Sequence, residues 1–236
     1  MKPKSPSWLE QAKGAAAREA VKEVKDGYVI GLGSGTTVAH AIEELGKNIK
    51  KKRIQVLVVP SSHQAFLLAA HNKVQATSLD EHPKLDMTID GADQVERNTL
   101  NMIKGMGGAL TREKIVASAS KRLVIIVDET KLTEKLGSNQ PIPVEVLPFA
   151  LAPASSRLRA LKGKPKLREA NGKVGPVVTD NGNFILDVDF KAIRDPEKLN
   201  RQIKAIPGVV ETGLFLNMAT IVYVGKRDTV QKLTRD

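Results

Sequence analysis

The chain has 236 residues, with 37 Lys and Arg against 26 Asp and Glu for a net charge of +11, four His and no Cys. A chain of this size buries roughly 70% of its unfolded surface, and at 41% hydrophobic residues it builds a conventional core, which excludes disorder as the dominant state. Its longest apolar runs, as at 56–59 and 123–127, fall far short of the ~20 residues needed to cross a bilayer, and the absence of Cys removes disulfides, thiolate nucleophiles and Cys-based zinc sites together. The opening MKPKSPSW lacks the apolar core of a secretory leader, so a cytoplasmic protein is expected. A pI near 9.8 raises the question of nucleic acid. The basic residues are scattered, however, with only Lys50-Lys-Lys-Arg53 as a tight run, and no aromatic RNA-binding motif accompanies them. A small anionic substrate accounts for the charge, with no nucleic acid and no membrane as partner.

Residues 7–26 place Leu9, Ala12, Ala16, Ala20, Val21 and Val24 at helical spacing, and Asp26-Gly27 closes the segment. The stretch 28–32 is short and β-rich, glycines at 33 and 35 break it, and 38–45 resumes helical periodicity: a strand, a glycine loop and a helix. The unit repeats, with an apolar strand over 54–59, a helix over 64–71 opened by Ser61-Ser62, and a short strand over 87–89 that ends at Asp90. A helix over 111–119 and a buried strand over 123–127 follow. Alternating β and α segments with unbroken apolar strands predict an α/β fold, a parallel Rossmann-like sheet covered on both faces.

After Gly137 the pattern changes. A strand over 143–147, a helix over 153–161, a strand over 166–169 and a hairpin over 177–188 turning at Asn181-Gly182 lead to a helix over 196–206 and a strand over 209–215. That β-α-β-β-α-β order is the order of a smaller ferredoxin-like α+β domain. The tail reads as a strand over 219–224 and a helix over 228–234 that return to the first sheet. The division expected is therefore 1–138 plus 214–236 for the Rossmann-like catalytic domain and 139–213 for the ferredoxin-like one.

In open parallel sheets ligands sit beyond the carboxyl ends of the strands, which singles out three loops. Gly31-Leu-Gly-Ser-Gly-Thr-Thr37 supplies glycines that let backbone N–H groups approach an anion, hydroxyl donors, and a helix N-terminus behind them, so phosphate is the natural guest. Its spacing fails both the dinucleotide fingerprint, with Thr36 where a third glycine belongs, and the NTPase loop. Asp90-Gly-Ala-Asp93 sets two carboxylates at a strand end, where they can cap a turn or handle protons. With no His at ligand spacing a lone Asp pair is a poor divalent cage, and no metal is expected. Lys104-Gly-Met-Gly-Gly108 leads into a helix carrying Glu113, a cation, a flexible backbone and a carboxylate that suit an anionic intermediate.

Taken together, these three loops, the 127–131 stretch ending at Lys131, and the later segments 141–146, 178–183 and 206–210 resemble ribose 5-phosphate isomerase of type A over residues 8–234. The resemblance implies interconversion of ribose 5-phosphate and ribulose 5-phosphate, without a cofactor, in a homodimer or homotetramer. Carried over position by position, Ser34, Gly35, Thr36 and Thr37 bind substrate, as do Asp90, Gly91, Ala92 and Asp93. Lys104, Gly105, Met106 and Gly107 form the third binding loop, Lys131 is a further contact, and Glu113 is the catalytic base. The chain departs from the family pattern at Gln94, where glutamate is usual, and at Met106, which interrupts the glycines. The chemistry points the same way. Aldose–ketose exchange needs one base to carry a proton between C1 and C2, plus groups that move a hydroxyl proton and hold an enediolate, and Glu113, Asp90 and Lys104 are the candidates for these roles. An amino-sugar-phosphate deaminase or the effector-sensing domain of a sugar-responsive regulator is the alternative within the fold, and a phosphate-tracking RNA-binding module is the alternative from another class.

Overall fold

The computed structural model describes residues 7–172 and 174–235; residues 1–6, read above for a leader, lie outside them. In chain order its elements begin with α1 (Trp8–Lys22), β1 (Val29–Leu32), α2 (Thr36–Lys52), β2 (Leu57–Pro60), α3 (His63–His71), β3 (Gln75–Ala76), β4 (Met87–Asp90), β5 (Gln94–Glu96), β6 (Met102–Ile103), α4 (Leu110–Ser118) and β7 (Leu123–Asp128). They continue with β8 (Leu132–Thr133), β9 (Ile142–Val146), α5 (Leu151–Ala160), β10 (Lys164–Leu167), β11 (Phe184–Asp189), α6 (Pro196–Lys204), β12 (Val209–Thr212), β13 (Leu214–Phe215), β14 (Ile221–Gly225) and β15 (Val230–Thr234). The chain divides into two compact units, one of Met1–Gly91, Ile115–Leu132 and Met218–Asp236, the other of Ala92–Lys114 and Thr133–Asn217.

The first unit holds a seven-stranded sheet in the order β15-β14-β7-β4-β1-β2-β3, parallel except for β15. Its strands are apolar because both faces are covered. Ala16, Ala17, Ala20 and Val21 of α1 and Val38, Ala41, Ile42 and Leu45 of α2 form one cluster with Ile30, Leu32, Val58, Met87, Ile89, Val124 and Ile126 of the strands. Each fully buried Val, Leu or Ile contributes about 1.5–3 kcal/mol. The basic run at 50–53 ends α2, where three lysines meet the partial negative charge of the helix terminus and Arg53 closes it in a left-handed conformation.

The predicted helix over 228–234 is instead the strand β15. Lys226 and Thr229 close a turn at 2.8 Å, and Val230–Thr234 pairs antiparallel with β14 over five positions. So short a segment does not sustain a helix, whereas β14 offers it a row of hydrogen-bonding groups.

The second unit carries a four-stranded antiparallel sheet in the order β10-β11-β9-β12, with α5 and α6 as its crossovers, which is the ferredoxin-like arrangement. Ile142, Val144 and Val146 of β9 pack with Ala154, Leu158, Leu186, Val188 and Ile203. Two expectations need amendment. The turn at Asn181-Gly182 forms, with Gly182 at φ 80° and its N–H on the Thr179 carbonyl at 2.9 Å, but the first arm of the hairpin is only a single bridge, Val178 to Phe184. The strand expected over 209–215 is split at Gly213 between two sheets: β12 joins β9, while β13 pairs with β6. A Cβ at 213 would lie 2.3 Å from the Lys104 carbonyl oxygen, so only glycine lets the chain pass there.

Candidate active site

The strand order reverses at β1. From β1 the chain proceeds to β2 on one side, while β4 lies on the other, the arrangement that opens a crevice at the carboxyl ends of a parallel sheet. Here the glycine loop meets the end of β4. The Gly33 N–H donates to the Ile89 carbonyl at 2.9 Å, and a Cβ at 33 would fall 1.7 Å from Asp90 Oδ1. Asp90 is buried, and its Oδ1 accepts the Gly91 N–H at 2.7 Å.

The rest of the loop is held from the next strand over. Ser34 Oγ lies 3.1 Å from Ser61 Oγ and donates to Ser62 Oγ at 2.7 Å, and Gly35, at φ 100°, donates its N–H to Gln64 Oε1 at 2.9 Å. Thr36 and Thr37 form the first turn of α2, which has no side-chain cap among the described residues. The positive end of a 17-residue helix thus stands behind the loop. Lys13 of α1 adds a cation, its ammonium 3.3 Å from Thr36 Oγ1 and 2.8 Å from Glu10. Sequence reading missed Lys13, because one lysine on an amphipathic helix looks like solvated surface. Lys131, half-buried, ends the short 3₁₀ turn 129–131 that Asp128 caps after β7.

The second unit holds the remaining candidates. Ala92 and Asp93 are half-buried; the Asp93 N–H donates to the Ile103 carbonyl, and its Oδ2 accepts the Met106 N–H, both at 2.9 Å. Gly105 and Gly108 take φ values of 105° and 83°, and the Gly108 N–H closes on the Gly105 carbonyl at 3.0 Å. Met106 and Gly107 are exposed. Arg168, unsuspected from sequence, holds this turn from outside: one guanidinium nitrogen donates to the Gly105 and Met106 carbonyls, both at 2.9 Å, while the others fork onto Asp187. Gln94 faces away, donating to Asn139 and accepting the Gly137 N–H at 2.8 Å, two bonds that a carboxylate could not both make.

Within the same unit Lys104 and Glu113 form an ion pair, Nζ to Oε2 at 3.0 Å, with side chains only 3% and 5% exposed. The Phe215 ring lies 5.1 Å from the Lys104 ammonium and 4.8 Å from that of Lys114. Lys114 turns to Glu211 at 3.0 Å and the Thr212 carbonyl at 2.6 Å. Burial pushes the Lys114 ammonium below the usual lysine range, against the pull of Glu211. Burial alone would raise Glu211, but Lys114, the Thr212 amide and Lys204 outweigh it and hold that carboxyl low. Two consecutive helical residues are therefore committed to different partners, Glu113 to Lys104 and Lys114 to Glu211. A buried carboxylate beside a fixed ammonium can exchange a carbon-bound proton and stabilise the charge that develops next to it.

The family profile of ribose 5-phosphate isomerase A (phosphoriboisomerase A) matches residues 57–229. The ribose-5-phosphate isomerase A of Thermosynechococcus vestitus is 49% identical over 219 residues, covering 92% of each chain. The structure of ribose 5-phosphate isomerase A from Methanocaldococcus jannaschii superposes with a TM-score of 0.93 at 45% identity, over 96% of this chain and 99% of that one. A D-ribose-5-phosphate isomerase in complex with phospho-erythronic acid superposes with the same score at 44% identity, again over 96% and 99%.

Proposed function

This chain belongs to the ribose 5-phosphate isomerase A family, and we propose from that premise that Glu113 carries a proton between C1 and C2 as D-ribose 5-phosphate and D-ribulose 5-phosphate interconvert. The protein is an aldose–ketose isomerase of the pentose phosphate pathway, acting through an enediolate. The observation that carries the assignment of the base is the Lys104–Glu113 pair, a carboxylate and an ammonium 3.0 Å apart and almost wholly shielded from water. Glu113 takes the proton from C2 of the aldose and returns it to C1. Lys104 stabilises the negative oxygen of the enediolate, and Asp90 moves the hydroxyl proton. Incubation with ribose 5-phosphate should yield the ketose, and failure to form it would defeat the reading.

The phosphate is assigned to Ser34, Gly35, Thr36 and Thr37, on the strength of the uncapped α2 terminus and the neighbouring Lys13. Gly91, Ala92, Asp93, Gly105, Met106, Gly107 and Lys131 complete the proposed substrate contacts. Thr36→Val together with Thr37→Val should raise KM for ribose 5-phosphate by about 10-fold or more with little loss of stability, since one such hydrogen bond to a charged group is worth about 1.5–3 kcal/mol. Equal KM values in parent and double variant would place the phosphate elsewhere.

A second expected result concerns Gly33. A methyl group there collides with Asp90 Oδ1, so Gly33→Ala should cost roughly 10²-fold in kcat through misplacement of Asp90. The control is Gly14→Ala, whose Cβ meets only the Arg18 guanidinium at 3.5 Å. Parental turnover in Gly33→Ala would separate that close approach from catalysis.

A homodimer or homotetramer in the cytoplasm is the setting we assign, following the family resemblance. No helix among the described residues is long and apolar enough to cross a membrane.

A further inference from the structure

Two segments that stand out in the sequence, 141–146 and 178–183, have no part in the reaction as proposed, yet the structure ties both to the helix that carries the base. Glu145, in β9, is wholly buried. Its Oε1 accepts Thr179 Oγ1 at 2.9 Å, Asn181 Nδ2 at 3.1 Å and Asn183 Nδ2 at 2.8 Å, and its Oε2 accepts the hydroxyl of Thr111. Thr111 lies in the first turn of α4, two residues before Glu113. Arg112, between them, donates Nε to Asn181 Oδ1 and Nη2 to the Asp180 carbonyl, both at 2.7 Å. The turn that receives these bonds is itself tied, with the Thr179 N–H on the Asn183 carbonyl at 2.9 Å and the Asn183 N–H on Thr179 Oγ1 at 3.1 Å.

A carboxylate removed from water is costly unless donors converge on it, and a well-packed apolar residue would do as well if filling space were the only need. Here the donors come from two distant segments, and one of them opens α4. We infer that Glu145 is a positioning residue for the base: by holding Thr111, while the 179–183 turn holds Arg112, it fixes the first turn of α4 and so the aim of Glu113. The inference rests on Glu113 being the base. Its logic is that proton transfer from carbon tolerates little displacement, ~1 Å being enough to cost 10²-fold.

The test uses Thr111→Val, which keeps the side-chain shape and removes the bond, with Thr111→Ser as rescue and Glu145→Gln beside them. For Thr111→Val kcat should fall on the order of 10-fold, with KM within twofold of parent and C2 deuterium exchange slowed in step. Thr111→Ser should return both rates to near parental. Glu145→Gln should act in the same direction, and if that variant does not fold the Val/Ser pair decides alone. A Thr111→Val protein with a lowered melting temperature but parental kcat and exchange rate would make the hub purely structural and overturn the inference. Glu113→Gln run in parallel separates the two levels: if it is inactive while Thr111→Val is parental, only the positioning role fails. If Glu113→Gln itself exchanges at the parental rate, the base assignment fails and the positioning role with it.

Discussion

Glu113→Gln should lower turnover by about 10²–10⁴-fold, the usual contribution of a positioned acid–base group, while affinity for ribose 5-phosphate changes little. The amide keeps a carbonyl oxygen for the Lys104 ammonium 3.0 Å away, so the substitution removes basicity rather than the contact. The loss corresponds to roughly 3–5 kcal/mol of barrier. Deuterium uptake at C2 is the deciding measurement, because it reports proton abstraction whether or not the ketose is released. Exchange should vanish in Glu113→Gln and survive in part in Asp90→Asn, where the base remains. A Glu113→Gln protein that exchanges like the parent would move the search for the base to Asp90 and Asp93.

The second large effect belongs to Lys104. Its ammonium and the Glu113 carboxylate are shielded together, and removing one partner of such a pair leaves the other charge buried and uncompensated, at a cost of ~3–5 kcal/mol. Lys104→Met should therefore lower the free energy of unfolding by about that amount, a large share of the ~5–15 kcal/mol that a domain possesses. It should also depress kcat, since the role proposed for Lys104 is to stabilise the enediolate charge. Adding Glu113→Gln to Lys104→Met should recover part of the stability while leaving the enzyme inactive, the non-additivity expected of residues in contact. Urea unfolding of the two single variants and the double one measures this coupling; additive losses would mean that the pair is not coupled.

The main architecture was legible because it depends on local pattern. Apolar strands alternating with amphipathic helices announce a covered parallel sheet, and a strand ending in glycines or aspartates announces a loop at its carboxyl end. Pairings between distant segments were not legible: the two-residue β6 pairs with its sequence neighbour β5 on one side, but on the other with β13, where Phe215 lies across from Met102, far away in sequence. The last strand was misread as a helix because its few residues show no clear period, and only β14 beside it decides their conformation. In the candidate site, Glu113, Lys104 and the loops stood out through residue type and spacing. Arg168 and Glu145 did not, since an arginine after a short strand and a glutamate among valines look solvent-facing. A signal for Glu145 existed in the polar cluster Thr179, Asn181 and Asn183, which needs a common acceptor if buried, but nothing local says that β9 would supply it.

The two ends of the seven-stranded sheet bear on behaviour in a crowded solution. One margin is β3, only two residues long, and the other is β15, which runs antiparallel to β14 and carries the exposed Lys232. Unprotected sheet margins recruit strands from other molecules, and short length and charge are ways of discouraging that. A parallel sheet assembled from segments far apart in sequence forms slowly, and its margins stay open while it does. A short strand at one rim and a lysine at the other therefore favour solubility during folding, a benefit separate from anything the finished enzyme does to its substrate.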